Sequence, residues 1–254
     1  MVLRIASGAL VGALFLALAG AATAAEQADF DSHDWSFYGI FGTYDRAAVQ
    51  RGYQVYAESC SSCHGLRLLA YRSLIGIGFS EAEVKAIAAQ FETTDGPDAD
   101  GEMYERPALP SDRFVSPFAN DNAARSANGG ALPPDLSVIV KARSRGPDYL
   151  YALLTGYAEA PDDHPVADGM SYNPVFPGGE IAMPPPLFED AVEYADGTPA
   201  TVAQMAEDVV GFLHWAAEPT LEERKRVGIK VMLFLIILSA LFIAVKQKVW
   251  RSAH

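Results

Sequence analysis

Residues 60–64 read Cys-Ser-Ser-Cys-His and contain the only two cysteines among 254 residues. Two thiols three positions apart cannot staple a chain of this size. They must act locally, as a redox disulfide, as metal ligands or as anchors of a covalently held group. The histidine that follows at once weighs among these. Cys-x-x-Cys-His is the spacing at which two sulfurs add to the vinyl groups along one porphyrin edge while the adjacent imidazole lies under the iron. A thiol:disulfide oxidoreductase also uses Cys-x-x-Cys, but at the start of a helix that follows a strand. Here a helical pattern precedes the motif and no parallel-sheet pattern surrounds it. Zinc would need further ligands, and there are no further cysteines. The motif therefore favours one covalently bound haem c, with Cys60 and Cys63 as anchors and His64 as the proximal ligand; a dithiol enzyme and a metal site stay as alternatives.

The two ends of the chain place this motif in a compartment. Arg4, an apolar run over 5–19 and Ala22-Thr23-Ala24 make an export leader over 1–24. Near the other end, 227–245 is interrupted only by Lys230 and is followed by Lys246, Lys248, Trp250 and Arg251. At about 1.5 Å per residue this run spans about 28 Å, close to the hydrocarbon thickness of a bilayer. Arg224, Lys225 and Arg226 flank its near side, so charge bias alone does not orient it. The leader does. The expected organisation is an exported haem domain over 25–221 and an anchor with a short tail over 222–254. That places a bacterial protein in the inner membrane, single-pass, with its head in the periplasm and its C-terminus in the cytoplasm.

Charge narrows the partners. Residues 26–221 carry 30 Asp and Glu against 11 Lys and Arg, a net −19. Such a surface repels nucleic acid and attracts a basic protein. Acidic residues are dense between Glu81 and Glu105.

Helical signals in the head are few but well marked. Asp45 caps a predicted helix from Arg46 to about Glu58, with Val49, Tyr53 and Tyr56 on one face and Gly52 allowing a close approach. Ser80 and Glu83 form a capping box for a second helix bearing Val84, Ile87, Ala88 and Phe91. Asp148 is expected to start a third, stopped at Gly156, and Thr201 with Gln204 a fourth, running to Trp215. The stretches 93–110 and 159–186 read as loops, the second long enough to be functional or wrapped around something. Strand-like alternation is almost absent, so the head is expected to be mainly α with long loops.

An electron-carrying haem iron needs a sixth ligand. The candidates are Met103, Met170, Met183, Met205, His33, His164 and His214. Met183 stands out because Pro184, Pro185 and Pro186 follow it, stiffening the loop and forbidding helix at Met183 itself.

Several long segments carry a resemblance: RGYQVYAESCSSCHGL at 51–66, AYRSLIG at 70–76, DGPDADGEMYERP at 95–107, NGGALPPDLSVIVKAR at 128–143, LLTGY at 153–157, AMPPPLF at 182–188, DGTPAT at 196–201 and WAAEP at 215–219. With them, the chain resembles the cytochrome c1 family, haem subunits of the cytochrome bc1 complex, over nearly its whole length after the leader. The resemblance implies a class I cytochrome c-like haem domain with long loop insertions plus one C-terminal transmembrane helix. It implies His64 and Met183 as axial ligands, Arg143 against a haem propionate and Pro134 in the haem wall. The implied partners are cytochrome b, the Rieske iron-sulfur protein as electron donor, and a soluble or membrane-anchored cytochrome c as acceptor. The quinol chemistry then belongs to the assembled complex, and this chain is its electron-transfer subunit. Some bacterial relatives close a loop near the axial methionine with a second cysteine pair; this chain lacks that pair. A free-standing, membrane-anchored electron-shuttle cytochrome is the alternative that keeps the haem without the complex.

Overall fold

A computed structural model describes residues 30–251; the expected leader lies outside the described residues. The first helix, α1 (Arg46–Val55), begins where Asp45 accepts hydrogen bonds from the Ala47 and Ala48 amides. It runs directly into a π-helical turn, Tyr56–Cys60, which delivers the cysteine motif from the end of a regular helix. A 3₁₀ segment, Tyr71–Ile77, and α2 (Glu81–Ala88) follow, and both arms of the Ser80–Glu83 capping box are formed. Next come β1 (Glu92–Asp95), β2 (Tyr104–Pro107), α3 (Asp121–Ala127), α4 (Gly146–Thr155), β3 (Ser171–Tyr172) and β4 (Glu180–Ile181). The chain closes with α5 (Val202–Ala217), capped by Thr201 through the Gln204 amide, and α6 (Leu221–Arg251).

The core is a crossing of α1 over α5, with α4 also packed against α5. The crossing is tight at Gly52. A Cβ there would lie 2.0 Å from the Asp208 carbonyl oxygen and 2.8 Å from Phe212 Cβ. Aromatic rings fill the space beneath, with Tyr53 and Tyr56 each 5.7 Å from Phe212, and Tyr71 stacked on Phe114 at 4.4 Å. One buried ion pair crosses the same interface. Arg51 grips both carboxylate oxygens of Asp208 at 2.9 and 3.0 Å and reaches Asp196 at 2.9 Å. Asp208 is 1% exposed, and the bidentate guanidinium gives its carboxylate the partner that burial demands. Through Asp196, the clip also holds the segment that leads from Met183 into α5.

Three expectations need correction. The acidic stretch 93–110 is not a plain loop: β1 and β2 pair antiparallel, Glu92 opposite Pro107 and Asp95 opposite Tyr104. Arg106 pairs with Asp95 and Asp112 across the hairpin, so part of that acidity is internally neutralised. Asp148 does not cap α4, which begins two residues earlier at Gly146. Its carboxylate is instead buried and accepts from the His33 amide and from Trp35 Nε1 at 2.8 Å, docking the N-terminal segment onto α4. Finally, α5 runs two residues beyond Trp215. The long stretch 159–186 is irregular except for the two-residue strands β3 and β4.

Among the described residues only α6 is long and apolar enough to cross a membrane, and none of its apolar stretch is covered by the rest of the protein. The observed architecture is thus mainly helical, with one long apolar C-terminal helix.

Candidate haem-binding site

The motif turn is fixed by its own backbone. Ser61 N bonds Tyr56 O across the π turn, and the Cys63 and His64 amides both return to Cys60 O, at 3.1 and 2.9 Å. The buried Tyr56 hydroxyl then donates to His64 O at 2.9 Å. His64 Nδ1 lies 2.7 Å from Pro134 O. A carbonyl can only accept, so Nδ1 carries the hydrogen. Burial lowers the imidazole pKa, although the Pro134 bond and the charge of Asp135 push the other way. A neutral ring with its Nδ1 hydrogen committed keeps the Nε2 lone pair for a metal, the arrangement in which an outer carbonyl orients a ligating histidine. Asp135 in turn accepts from the Arg67 and Ser137 amides, and Leu136 N bonds Gly65 O, so the Pro134 loop is laced to the motif.

Cys60 and Cys63 are free thiols, both half-buried. Burial first, and then the proximity of Cys63, pushes the Cys60 thiol up to about 12. A dithiol oxidoreductase needs a thiol whose pKa is lowered, so this environment argues against that reading. Nor do three His, Cys, Asp or Glu side chains converge as an ion's ligands among the described residues, which leaves zinc without a set.

Met183 lies in the proline loop, half-buried against the core. Its carbonyl accepts from Tyr157 Oη at 3.0 Å. Four of its six rivals are engaged elsewhere or exposed; the other two, His164 and Met170, are half-buried in the irregular stretch 159–186. Met205 is fully buried between helices, and Met103 is exposed on the hairpin. His214 stacks on Phe37 at 3.8 Å and meets Tyr44 Oη through Nδ1 at 2.9 Å, and His33 packs against Trp35 and Tyr151.

The three neighbouring cations are sorted by their partners. Lys141 binds Glu218 at 2.7 Å, and Arg145 pairs with Asp148 while lying over the Phe30 ring. Arg143 has no carboxylate partner among the described residues; it is exposed, turned to the Ala142 carbonyl and to the Tyr149 hydroxyl. Tyr149 neighbours Tyr157, whose hydroxyl holds the Met183 loop. The expected residues therefore fall into two groups, His64 with Pro134, and Arg143 linked through two tyrosines to Met183. Tyr56, Tyr149, Tyr157 and Asp135 are not among the residues the sequence singles out for the site; only their place inside the stretches that carry the family resemblance, 51–66, 128–143 and 153–157, hints at Tyr56, Asp135 and Tyr157.

These donors fit a haem c: two thiols at vinyl spacing, a neutral imidazole oriented by a carbonyl, a thioether in a stiff loop and a cation left for a propionate. The Cytochrome C1 family matches the chain over residues 35–253. This chain belongs to the cytochrome c1 family. It is 48% identical to cytochrome c1 of Rhodospirillum rubrum, with 96% of both chains covered. It is 52% identical to the mitochondrial cytochrome c1 1 haem protein of Arabidopsis thaliana over 89% of this chain and 74% of that one. A protein of Bradyrhizobium diazoefficiens named cytochrome b/c1 is 47% identical over 96% of this chain, which spans 39% of that longer protein.

Proposed function

We propose that one covalent haem c is held here by Cys60, Cys63, His64 and Met183, with Arg143 at a propionate and Pro134 at the wall, and that it carries electrons between the Rieske protein and a cytochrome c. Membership of the cytochrome c1 family makes the chain the haem subunit of the bc1 complex, and electron transfer follows from the family. The finer reading rests above all on His64, neutral and donating Nδ1–H to Pro134 O, which leaves a single nitrogen for iron.

When bound, haem c supplies a one-electron ferric/ferrous couple. The protein's contribution is to keep everything around that couple still. The Nδ1–H bond to Pro134 O orients the imidazole and raises its donor strength. Tyr56 and Tyr157 pin the backbone on either side of the site through the His64 and Met183 carbonyls. No proton has to move at any of these atoms for an electron to arrive or leave. His64 and Met183 would hold the iron, and a thioether ligand together with an imidazole would favour the ferrous state and raise the potential, which would suit a carrier downstream of a high-potential iron-sulfur centre. A guanidinium at a propionate offsets negative charge beside the ring.

The chain is membrane-anchored by α6. The proposed division is a head over 25–221 in the periplasm and an anchor over 222–254 with its tail in the cytoplasm. Cytochrome b as a neighbour is supported by the relative whose name joins b and c1 and whose length leaves room for both. A pyridine haemochrome spectrum tests the haem: one haem per chain with both vinyls saturated is expected, and a spectrum without covalent haem overturns the proposal. Purification in mild detergent tests the setting, since a free-standing cytochrome would migrate without cytochrome b.

A further inference from the structure

The two most exposed large apolar side chains among the described residues are not on α6. They are Phe41, 83% exposed, and Ile40, 69% exposed. Both sit at the tip of a closed loop in the N-terminal segment. The loop is built rather than frayed: Tyr38 N bonds Trp35 O and Thr43 N bonds Ser36 O, each at 3.0 Å. Gly39 takes a φ of 71°, and a Cβ on Gly42 would lie 1.9 Å from the Tyr38 carbonyl oxygen, so the tight return needs glycine at both places. Its base is sunk in the protein, with Trp35 and Phe37 buried and stacked, and Phe37 stacked again on His214. A rigid base presenting two bare apolar side chains calls for an apolar surface outside the head.

The contacts of this loop say which surface. Lys225 Nζ donates to Phe37 O at 2.7 Å and to Gly42 O at 2.9 Å, gripping both ends of the loop. Glu222 accepts from the Tyr44 amide and pairs with Arg46, both at 2.8 Å. Lys225 stands in the opening turns of α6, two residues before the apolar run that begins at Val227, an axial rise of about 3 Å. The loop is thus strapped to the anchor helix at the level where that helix enters hydrocarbon. Residues 35–44 carry no charged side chain, in a head that is otherwise strongly acidic, while Arg224, Lys225 and Arg226 stand beside them. Half-exposed Tyr38 adds an amphipathic ring of the kind found at headgroup depth. We propose that residues 38–42 are a second, monotopic foothold, with Ile40 and Phe41 seated in the interfacial layer of the leaflet from which the head emerges. This rests on α6 spanning the membrane. Two points of attachment fix the tilt of the head on its helix, where one helix alone would leave it free to swing.

Covalent haem attachment would consume both native cysteines, so an introduced cysteine would be the one free thiol. The haem-bearing full chain carrying Phe41→Cys, Asp100→Cys or Ser239→Cys is labelled with a nitroxide and placed in vesicles of phosphatidylcholine and phosphatidylglycerol, with the haem reduced. Relaxation by oxygen is compared with relaxation by a water-soluble nickel chelate. The expected oxygen-to-nickel ratio at 41 is several-fold above that at 100, on the exposed hairpin tip, and below that at 239, mid-helix. Ile40→Cys should give the same pattern, and an unchanged haem spectrum shows that each variant has folded. An aqueous ratio at 41 with a lipid ratio at 239 overturns the foothold alone; an aqueous ratio at 239 overturns the spanning helix and the foothold with it. A label at 41 that becomes immobile and shielded from both reagents in the detergent-purified complex would show a protein partner on this loop, and would also overturn it.

Discussion

At the residue scale, the proposed haem site demands a thioether held against iron by a loop with no regular structure. Met183→Leu is expected to abolish the weak sulfur-to-iron band of the oxidised protein, lower the potential and stop cytochrome c reduction while leaving covalent haem in place. Persistence of the band would show that another residue is the ligand. Tyr157→Phe removes only the hydroxyl that holds the Met183 carbonyl, a bond worth about 1 kcal/mol. It should keep the band at room temperature but lose it several degrees earlier on heating, as read by absorbance; an unchanged melting of that band would show that Tyr157 does not steady the loop. His214 supplies a pH dependence that owes nothing to haem. Burial lowers its pKa to about 4 from 6.5, with Glu218 partly opposing. Between those values the unfolded chain binds a proton that the folded one refuses. Stability from this group is therefore complete above about pH 6.5 and is lost as pH falls toward 4, by at most about 1.4 kcal/mol per pH unit. Denaturant titrations from pH 7 to 4.5 should show a shallower loss in His214→Gln than in the parent, and parallel curves would refute the assignment.

At the element scale, the α1–α5 crossing is the joint on which the site is hung, because the π turn bearing Cys60 grows from α1 and the Met183 segment is clipped to it through Asp196. Gly52→Ala forces a methyl toward a backbone oxygen that cannot yield as a side chain could. Separation of the helices should cost about 1–3 kcal/mol or more, seen as a lower denaturation midpoint with a disturbed haem spectrum; a parental midpoint would mean the crossing is looser than described. Much of this level was legible in the sequence, since caps are local chemistry. Asp45, Ser80 with Glu83, and Thr201 each satisfy amides within three residues of themselves, and they mark helix starts correctly. Where tertiary demand competes with a local rule, the reading failed. Asp148 has the look of a cap, but its carboxylate is worth more to the buried Trp35 indole 113 residues away. The hairpin was missed because β1 and β2 are short and half-exposed, without the alternation that marks a strand with one buried face. The proposed haem residues Cys60, Cys63, His64 and Met183 stand out in the sequence through spacing and proline chemistry. The Tyr157 bond to the Met183 loop, and the pairing of Lys141 with Glu218 while Arg143 has no carboxylate partner among the described residues, were not readable from local pattern, because each depends on partners brought in by the fold.

At the scale of the whole molecule, the head carries a net −19, and the question is which of its acids a basic partner would feel. The hairpin sorts them. Asp95 is paired with Arg106, and Asp98 accepts from the Asp100 and Glu102 amides at 2.9 and 3.0 Å, so neutralising either would loosen the hairpin as well as remove charge. Glu92, Asp100 and Glu102 are exposed, and no ion pair engages their carboxylates among the described residues. They are the ones to change. Glu92→Gln, Asp100→Asn and Glu102→Gln together remove three charges while the Arg106 pairs stay intact. Long-range attraction acts mainly on encounter, and at physiological salt it is screened over about 8 Å. The triple variant should therefore reduce a basic cytochrome c more slowly than the parent in stopped-flow experiments at low ionic strength, with the difference closing as salt is raised. Its potential and haem spectrum should stay those of the parent, because the charges lie on a hairpin that contributes none of the proposed ligands. A salt dependence identical to the parent's would remove this hairpin from the encounter surface and leave the remaining acids of the head to account for any attraction.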